Sequence, residues 1–471
     1  MPSSYATHAH KDFIGASREA VEDPHLQTAL QRLTLRLAEG QQGAFGGLDR
    51  EALRERGRAI KDEALAHLDR YLAELEASVV RVGGRVHWAS DGAEAREIVL
   101  RIAREHGVRR VVKSKSMTTE EVHLNGALEA AGMEVTETDF GEFLLQLAGE
   151  RPSHLVAPVL HKTRERIRAL LVEKLNREIP DDPAAMAAAA RAVLRDRFRE
   201  ADMGITGVNF AVAETGTVVL VSNEGNARLT TTTPRVHVAL MGIEKVIPRF
   251  EDLGVFLKLL ARSATGQKMS VYTSLITGPR RPGEADGPEA FHLVALDNGR
   301  SRILSGPFRE SLYCIRCGAC LNTCPVYRKV GGHAYGGVYA GPIGAVLTPL
   351  YDGLPDYHHL PHASSLCGAC QQACPLRIDI PHMLVALRGR LAEEGEVSLA
   401  ERLIYRAWRA GLRSPGLYRL GTWAARRLLR LMGREGWIAE MPGPAAGWTR
   451  VRDFPMPAER GFRERLGELG L

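Results

Sequence analysis

The sequence has no cysteine outside residues 314–374, and all seven of its cysteines lie within that stretch. Proteins stabilised by disulfides usually carry an even number of cysteines spread along the chain. An odd, tightly clustered set therefore argues against a disulfide framework. It favours a metal site in a protein that works in a reducing compartment.

Long apolar runs are also missing. No stretch approaches the roughly 18 apolar residues that a membrane-spanning helix needs. The N-terminal stretch "MPSSYATHAHKDFIGASREAVEDP" lacks the apolar centre of a secretion signal, so we expect no signal peptide and a cytoplasmic location. With 45% hydrophobic and 25% charged residues, the composition is typical of a folded, soluble chain of several domains.

Acidic residues are scarce in one segment. Residues 401–434 carry nine arginines and one glutamate, a local charge of +8, so the rest of the chain sums to −2 within a total of +6. This uneven charge argues against a nucleic-acid-binding surface over the whole protein, and we expect no nucleic-acid partner. Three roles stay open for the segment: docking of a partner subunit, which we favour, a solvated helix pair, or contact with an anionic membrane surface.

The chain does contain short apolar runs that alternate with amphipathic stretches. "RVHWA", "RRVVKS" and "MEVTETD" predict strands, and "GAEAREIVLRIAREHG" and "TTEEVHLNGALEAAG" predict the helices between them. The run "HLVAPVL" continues the series, a helical stretch follows at 163–202, and further apolar runs extend to residue 297. This rhythm is typical of an α/β fold with a mostly parallel sheet.

The boundaries of these patterns divide the chain into four predicted regions. We expect an N-terminal helical segment at 1–80, the α/β domain at 81–304, a helical domain that holds the cysteines at 305–395, and a basic helical region at 396–471.

The first cysteine motif, "CIRCGACLNTCP", has the Cys-x2-Cys-x2-Cys-x3-Cys-Pro spacing of bacterial ferredoxins. In that spacing three thiolates bind one cubane and the fourth binds the other cluster. The second motif, "SSLCGACQQACP", repeats the pattern without its first cysteine. Crossing the fourth cysteines assigns Cys314, Cys317, Cys320 and Cys374 to cluster 1, and Cys324, Cys367 and Cys370 to cluster 2. A zinc ribbon is the alternative use of these thiolates.

Seven cysteines leave one of eight cluster positions without a thiolate. Cluster 2 then has three iron atoms, or has four with an oxygen or nitrogen ligand, or has an open fourth iron. Ser364 is a candidate ligand by its register in the motif, and His358, His359 and His362 are candidates by their proximity in sequence. The plainer role for each of them is a hydrogen bond within a loop.

Long motifs give the chain a resemblance to a known family over nearly its full length. They are "VKSKSMTTEEVHLN", "GITGVNFAVAETGTVVLVSNEGNARL", "CIRCGACLNTCPVYRKVGGHAYG", "GPIGAVLTPL", "SSLCGACQQACP" and "WTRVRDFPMP". In these stretches the chain resembles the bacterial lactate-utilization iron–sulfur subunits, the B component of a three-part L-lactate oxidation system.

The resemblance implies a lactate-utilization (LUD) domain, similar in fold to sugar-phosphate isomerases and CoA-transferases, followed by a helical two-cluster ferredoxin-type domain. It implies electron transport during oxidation of L-lactate to pyruvate, together with two sister subunits. The family's second motif also lacks its first cysteine and is read as a four-iron site. We therefore expect two 4Fe–4S clusters, with 3Fe–4S as the alternative for the second. The alternative function is a ligand-binding or transferase/isomerase-like LUD module whose clusters are structural.

Other polar positions carry weaker signals. In "KSKSMTTEE" the side chains from Lys113 to Thr119 could bind a carboxylate or phosphate, or Thr118 or Thr119 could cap a helix with Glu121. Glu214 is expected to serve a turn rather than acid–base chemistry. Arg228 with the threonines 230–233 is expected in an edge loop, and His333 in a loop hydrogen bond. Because no complete Gly-x-Gly-x-x-Gly or P-loop motif is present, we expect no nucleotide cofactor held in those ways.

Overall fold

The computed structural model describes residues 12–397, 399–450 and 452–468. The chain forms two compact units, one that ends at Leu391 and one that begins at Ala392. Residues 1–11 lie outside the described residues, and so does that part of the expected N-terminal segment. Val451, within the motif "WTRVRDFPMP", lies outside them as well.

Between residue 12 and the first strand the chain forms four helices. They are α1 Phe13–Glu22, α2 Pro24–Ala44, α3 Arg50–Ala66 and α4 Leu68–Arg81. Asp23 begins α2: its side chain accepts hydrogen bonds from the amides of His25 and Leu26, and Pro24 follows at the first helical position.

Ten strands lie within the continuously described stretch between residues 85 and 296. They are β1 Arg85–Ala89, β2 Arg110–Lys113, β3 Glu134–Glu137, β4 Met203–Thr206, β5 Phe210–Val212, β6 Thr217–Ser222, β7 Val236–Gly242, β8 Val246–Ile247, β9 Tyr272–Ile276 and β10 Ala290–Leu296. Six of them form a sheet in the order β1-β10-β7-β4-β2-β3, and every pairing in it is parallel. The predicted α/β class with a mostly parallel sheet is therefore confirmed.

Helices cover both faces of this sheet. The helices between residues 92 and 304 are α5 Gly92–Glu105, α6 Met117–Glu121, α7 Leu124–Ala130, α8 Phe140–Ala148, α9 Arg164–Leu175, α10 Pro183–Glu200, α11 Asn226–Thr232, α12 Leu253–Thr265 and α13 Arg300–Leu304. Of these, α12 packs on α2 and α3. Neighbouring residues of β2 point to opposite sides, as in any strand. Val111 packs with α5 and α7, and Val112 packs with α8, α9 and α10. The domain is thus a three-layer sandwich around a parallel sheet.

Several local predictions were wrong. The run "HLVAPVL" forms turns, and the single helix expected at 118–132 is split into α6 and α7 at His123, whose φ of 52° is left-handed. Residues 226–232, expected as an edge loop, form α11. Strands β8, β5, β6 and β9 form a separate four-stranded sheet in that order, in which β6 pairs antiparallel with both neighbours. Apolar runs alone cannot assign a strand to one of two sheets.

The cysteine region is built from short helices joined by tight loops. They are α14 Ala319–Thr323, α15 Tyr327–Val330, α16 Gly341–Asp352, α17 Ala369–Ala373 and α18 Ile380–Glu394. Helix α16 is buried over most of its length, from Gly341 to Leu350. It supplies the apolar support for the loops that carry the cysteines.

The second unit contains two amphipathic helices, α19 Leu399–Arg413 and α20 Pro415–Met432, that pack on each other. Short elements follow: β11 Trp437–Ile438, α21 Ala446–Thr449, β12 Phe454–Pro455 and α22 Phe462–Glu468. Both long helices expose large apolar side chains, among them Leu403, Trp408, Leu420 and Leu431. Among the described helices, none has the length and apolar character needed to cross a bilayer.

Candidate functional site

The two cysteine motifs fold into the same loop 50 residues apart. In the first, Arg316 has φ 60° and Gly318 φ 76°, and in the second Leu366 has φ 55° and Gly368 φ 80°. A five-residue helix follows each loop, α14 in the first motif and α17 in the second. These left-handed residues turn the backbone tightly at the same two positions of each loop.

Ser364 occupies in the second loop the place that Cys314 occupies in the first. The amide of Arg316 donates to Cys314 Sγ at 3.4 Å, and the amide of Leu366 donates to Ser364 Oγ at 3.1 Å. Both bonds join a side chain to the amide two residues later. The serine therefore replaces the first cysteine in conformation as well as in register.

Four of the cysteines line one small apolar cavity. They are Cys314, Cys317, Cys320 and Cys374, and Leu155, Ile343 and Leu376 complete the wall. Burial raises the pKa of the Cys317 thiol, and the nearby sulfurs of Cys374 and Cys314 raise it further. Cys374, which occupies the fourth cysteine position of the second motif, thus lies with the first three cysteines of the first motif.

The other three cysteines lie near one another. Burial and the proximity of Cys324 raise the pKa of Cys370 to about 12, and Cys367 contributes to the same shift. Cys367 itself is exposed, whereas Cys324 and Cys370 are buried. This second group is the more accessible of the two.

The residues fit an iron–sulfur group. Five of the seven thiols are buried, and backbone amides point at three sulfurs: Arg316 at Cys314, Tyr327 at Cys324, and both Leu376 and Ile378 at Cys374. Clusters are bound by thiolates, and amide donors to sulfur tune their potential. Burial disfavours bare thiolates, so the positive charge of iron would stabilise the deprotonated form. Among the described residues, no three His, Cys, Asp or Glu side chains converge on a single-ion site.

The three histidines that are candidate ligands near the second motif differ in their contacts. His358 Nδ1 lies 2.9 Å from the carbonyl oxygen of Pro355. His359 stacks on Phe13, and its ring nitrogens have no hydrogen-bond partner among the described residues. The backbone amide of His362 donates to the carbonyl of His359. Of the four candidates, only Ser364 has the register of a missing ligand.

Helices α2 and α3 cover the second cysteine motif, which sequence reasoning did not anticipate. Gln41 donates to the carbonyl of Ala373 at 2.9 Å, and Arg54 donates to the carbonyls of Cys374 and Gln371 at 3.0 and 3.2 Å. These bonds join residues more than 300 positions apart, so no local pattern could reveal them. The N-terminal helices therefore help to hold the cysteine loops.

A buried ion network joins the α/β domain to the loop of Cys314. Arg300 donates two hydrogen bonds of 2.9 Å to Glu121 and one of 2.6 Å to Glu244, and all three side chains are 2% exposed or less. Tyr339 also donates to Glu121, and Arg316 lies 3.6 Å from Glu244. Burial alone would raise the pKa of Glu244, but Arg300 and its other cationic neighbours lower it to about 2.

A second, larger cavity of about 310 Å³ lies at the carboxyl edge of the parallel sheet. Residues after β2, β3, β4 and β7 line it, including Ser114, Lys115, Asp139, Asn209 and Lys245. Arg316 and Tyr339, from the cysteine region, complete it. Such an edge is where open parallel sheets bind their ligands.

The residues of "KSKSMTTEE" differ in their positions. Lys113 does not reach the cavity, because it is fully buried and pairs with Glu137 at 2.8 Å and Glu120 at 3.1 Å. The cap of α6 is Ser116, whose side chain accepts from the amide of Thr119, so the expected cap at Thr118 or Thr119 was wrong. Ser114, Lys115, Ser116 and Thr118 do line the cavity.

The remaining polar candidates lie in structural positions. Glu214 is exposed, and its carboxylate accepts from the amide of Phe250 at 2.9 Å. The carbonyl of Arg228 accepts from Thr231 and Thr232 within α11. His333 Nε2 lies 2.9 Å from the carbonyl of Arg151. Each of these groups has a local partner of its own.

The paired cysteine loops beside a parallel α/β domain are those of an iron–sulfur protein. The sequence matches the LUD domain family at residues 72–296, the 4Fe–4S dicluster domain family at 310–378, and the family "Lactate utilisation protein B, C-terminal" at 382–470. A crystal structure of a DUF162 family protein from Deinococcus radiodurans covers 49% of this chain and 98% of its own, at 14% identity and a TM-score of 0.27.

Curated relatives extend over nearly the whole chain. A lactate utilization protein B of Bacillus pumilus is 47% identical over 467 residues, which is 98% of each chain. Those of Bacillus licheniformis and Shouchella clausii are 47% and 48% identical over 88% and 86% of this chain, which correspond to 87% and 86% of their own. The chain belongs to the lactate utilization protein B family, so the predicted resemblance is confirmed.

Proposed function

We propose that this protein is an iron–sulfur electron-transfer subunit for the oxidation of L-lactate to pyruvate, and that it allows growth on lactate. The observation that carries the proposal is the full-length relation to lactate utilization proteins B, combined with a 4Fe–4S dicluster match over the cysteine loops. Conversion of L-lactate to pyruvate releases two electrons and two protons. Bound clusters would supply one-electron storage, and the seven cysteines are the residues that would hold them.

Two clusters account for the cysteines. Cluster 1 takes Cys314, Cys317, Cys320 and Cys374, and the shared cavity of these four supports the assignment. Cluster 2 takes Cys324, Cys367 and Cys370, supported by the mutual influence of these thiols on their pKa values. The fourth iron of cluster 2 has Ser364 as its protein ligand, since the serine lies where the first loop has Cys314.

Lactate-dependent reduction tests the electron-transfer role. With its partner subunits present under anaerobic conditions, the loaded protein is expected to lose visible cluster absorbance on addition of L-lactate, because the substrate's electrons enter the clusters. D-lactate, and L-lactate without the partner subunits, serve as controls. If dithionite bleaches the clusters but L-lactate with all subunits does not, the electron-transfer role is wrong.

Ser364→Cys tests the ligand of cluster 2. A thiolate binds iron more firmly than a hydroxyl does, so the variant should slow the oxidative loss of iron from cluster 2 by about tenfold or more, the scale that ligand support has on metal affinity. Mild oxidation of the unmodified protein should first produce the near-isotropic electron paramagnetic resonance signal of a three-iron cluster. Ferrous iron should reverse the signal, and Ser364→Cys should suppress it.

Ser364→Ala separates a ligand from a loop residue. If Ser364 binds iron, the alanine variant should show the three-iron signal earlier than the unmodified protein. Ser305→Ala, which removes an exposed hydroxyl outside both cysteine motifs, is the control. Equal lability of Ser364→Ala and the unmodified protein would contradict the serine ligand. Loss of cluster 2 alone in Cys374→Ser would contradict the crossed assignment.

The partners that this function requires are the sister subunits of a lactate-utilization system. We place their docking surface on the apolar faces of α19 and α20, where Leu403, Trp408, Leu420 and Leu431 are exposed. The alternative is that the arginines on the same helices make peripheral contact with an anionic membrane. A cytoplasmic location completes the proposal, since clustered thiols suit a reducing compartment.

The cavity at the sheet edge favours a second candidate function. In this alternative function the LUD domain binds or transforms a small molecule, and the clusters only stabilise the structure. The reduction experiment distinguishes the two functions, because structural clusters would not respond to L-lactate in the presence of the partner subunits.

A further inference from the structure

The cavity at the carboxyl edge of the sheet forms where the strand order changes direction. From β2 the chain continues to β3 on one side, whereas β4 lies on the other side of β2 and leads towards β7. The loops after β2 and β4 therefore separate and leave a crevice, as expected at a topological switch point. Ser114, Ser116 and Asn209 come from these two loops.

The charged residues of this cavity favour an anion. Three cations, Lys115, Lys245 and Arg316, and two acids, Asp139 and Glu224, line it, so its formal charge is 3 − 2 = +1. Both acids already accept backbone hydrogen bonds: Asp139 from Gly141 and Glu142, and Glu224 from Phe140. Their charge is therefore partly satisfied within the protein.

One of the cations, Lys115, donates a hydrogen bond to the carbonyl of Leu155, and the other two are less well satisfied. The side chain of Arg316 is 8% exposed, and neither of its terminal nitrogens has a hydrogen-bond partner among the described residues. Its nearest acid oxygen, on Glu244, is 3.6 Å away, and its guanidinium lies over the ring of Tyr339. Lys245 is 7% exposed. A buried cationic donor without partners, such as Arg316, is costly, and a bound anion would supply the missing acceptors.

The cavity is also close to the cysteines of the proposed cluster 1. Arg316 lines it, whereas the neighbours of Arg316 in the motif, Cys314 and Cys317, line the apolar cysteine cavity. Leu155 belongs to the walls of both cavities. A molecule in the larger cavity would thus be one layer of side chains from the cysteine loop.

We infer that this cavity is a binding site for a small monocarboxylate, in which Lys245 and Arg316 bind the carboxylate group and the hydroxyl and amide side chains of the β2 and β4 loops contact the rest of the molecule. A ligand with a single negative charge balances the formal charge of +1 of the side chains that line the cavity, whereas the two charges of a phosphate dianion would exceed it. That the ligand is a 2-hydroxy or 2-oxo acid rests on the proposed function; the anion site itself does not.

Ligand-observed NMR on the cluster-loaded full chain tests the site. L-lactate and pyruvate should show saturation transfer from the protein, and propionate, which lacks the oxygen at carbon 2, should bind more weakly. Lys245→Met should weaken L-lactate binding by about tenfold or more, because it removes a charge-assisted contact. Lys115→Met is a second variant: it removes another of the three cationic side chains that line the cavity and should also weaken L-lactate binding.

Lys258→Met is the matched control, since Lys258 is exposed on α12 and lies outside the cavity that this helix helps to line. It should bind L-lactate like the unmodified protein. Circular dichroism and cluster absorbance must match among the variants that are compared. The inference is overturned if no carboxylate binds, if Lys245→Met and Lys115→Met both bind normally, or if inorganic phosphate binds and carboxylates do not.

The binding experiment uses neither partner subunits nor turnover, so it is independent of the proposed function. Carboxylate binding without reduction of the clusters by L-lactate would contradict the electron-transfer role and leave the site intact. Cluster reduction without carboxylate binding would contradict the site and leave the electron-transfer role intact. In that case Lys245 and Arg316 would serve only to offset the negative charge of the cysteine sulfurs.

Discussion

Cys317→Ala is expected to remove about half of the bound iron and to abolish growth on L-lactate. Cys317 is buried in the apolar cavity that it shares with Cys314, Cys320 and Cys374. A methyl group there offers iron no ligand, and the cavity admits little water as a substitute. Anaerobically purified protein should contain about six to eight iron atoms per chain, the range set by two cubanes or one cubane and a three-iron cluster. The variant should contain about four fewer.

The growth test needs a strain that lacks the chromosomal copy and receives either form of the protein. Ser305→Ala, a change of an exposed hydroxyl shortly before the first motif, is the control and should restore growth. Immunoblots must show equal protein levels. Normal growth of the Cys317→Ala strain would exclude an essential electron-carrier role for cluster 1, and a limit of four irons in the unmodified protein would exclude two clusters.

The features that the sequence predicted well depend on local patterns. The strands β1, β2 and β3 coincide with the stretches predicted as strands, and β7 and β10 lie in later apolar runs. The cysteine spacing identified the loops, because three thiols at three-residue steps require one particular turn of the backbone. Register alone singled out Ser364, and the shared hydrogen bond to the amide two residues later supports that comparison.

The features that the sequence did not predict depend on contacts between distant residues. Lys245 and Arg316 meet at one cavity although 70 residues separate them. Arg54 reaches the carbonyl of Cys374 from a helix that reads as an ordinary solvated one. The break between α6 and α7 at His123 is similar, since the helical pattern continues through it and only the packing of the two short helices requires the left-handed turn.

These distant contacts make the cysteine region and the α/β domain one physical unit. Glu121 follows β2, Glu244 follows β7, and Arg300 follows β10, so three carboxyl ends of the parallel sheet supply one ion network. Tyr339 and Arg316, on the side of the cysteines, bind to the same carboxylates. The position of the loop that carries Cys314 is therefore coupled to the sheet edge where the larger cavity lies.

Arg300→Met is expected to lower the free energy of unfolding by about 3–5 kcal/mol, since it leaves two buried carboxylates without their main partner. Urea unfolding followed by circular dichroism on the loaded, anaerobic protein measures the loss. Arg280→Met is the matched control: Arg280 pairs with Glu289 at 2.8 Å on the surface, and its removal should cost about 1 kcal/mol or less. Equal losses in the two variants would contradict a special role for the buried network.

The pH dependence of this loss follows from the same carboxylates. Burial alone would raise the pKa of Glu121, but the charge and hydrogen bonds of Arg300 outweigh it and leave that pKa lowered. The stability that such carboxylates contribute is present at neutral pH and is lost as the pH falls from about 4.5 towards about 2, the pKa of Glu244. Without Arg300, burial raises the pKa of Glu121, whereas Glu244 keeps Lys245, Arg316 and Lys61 as cationic neighbours. Glu121 in the folded variant therefore takes up a proton at a pH where the unfolded chain does not. The difference in free energy of unfolding between the unmodified protein and Arg300→Met should therefore be greatest near about pH 8 and shrink towards about pH 5. A deficit that stays constant over this range would mean that the lost stability comes from packing of the Arg300 side chain rather than from its charge.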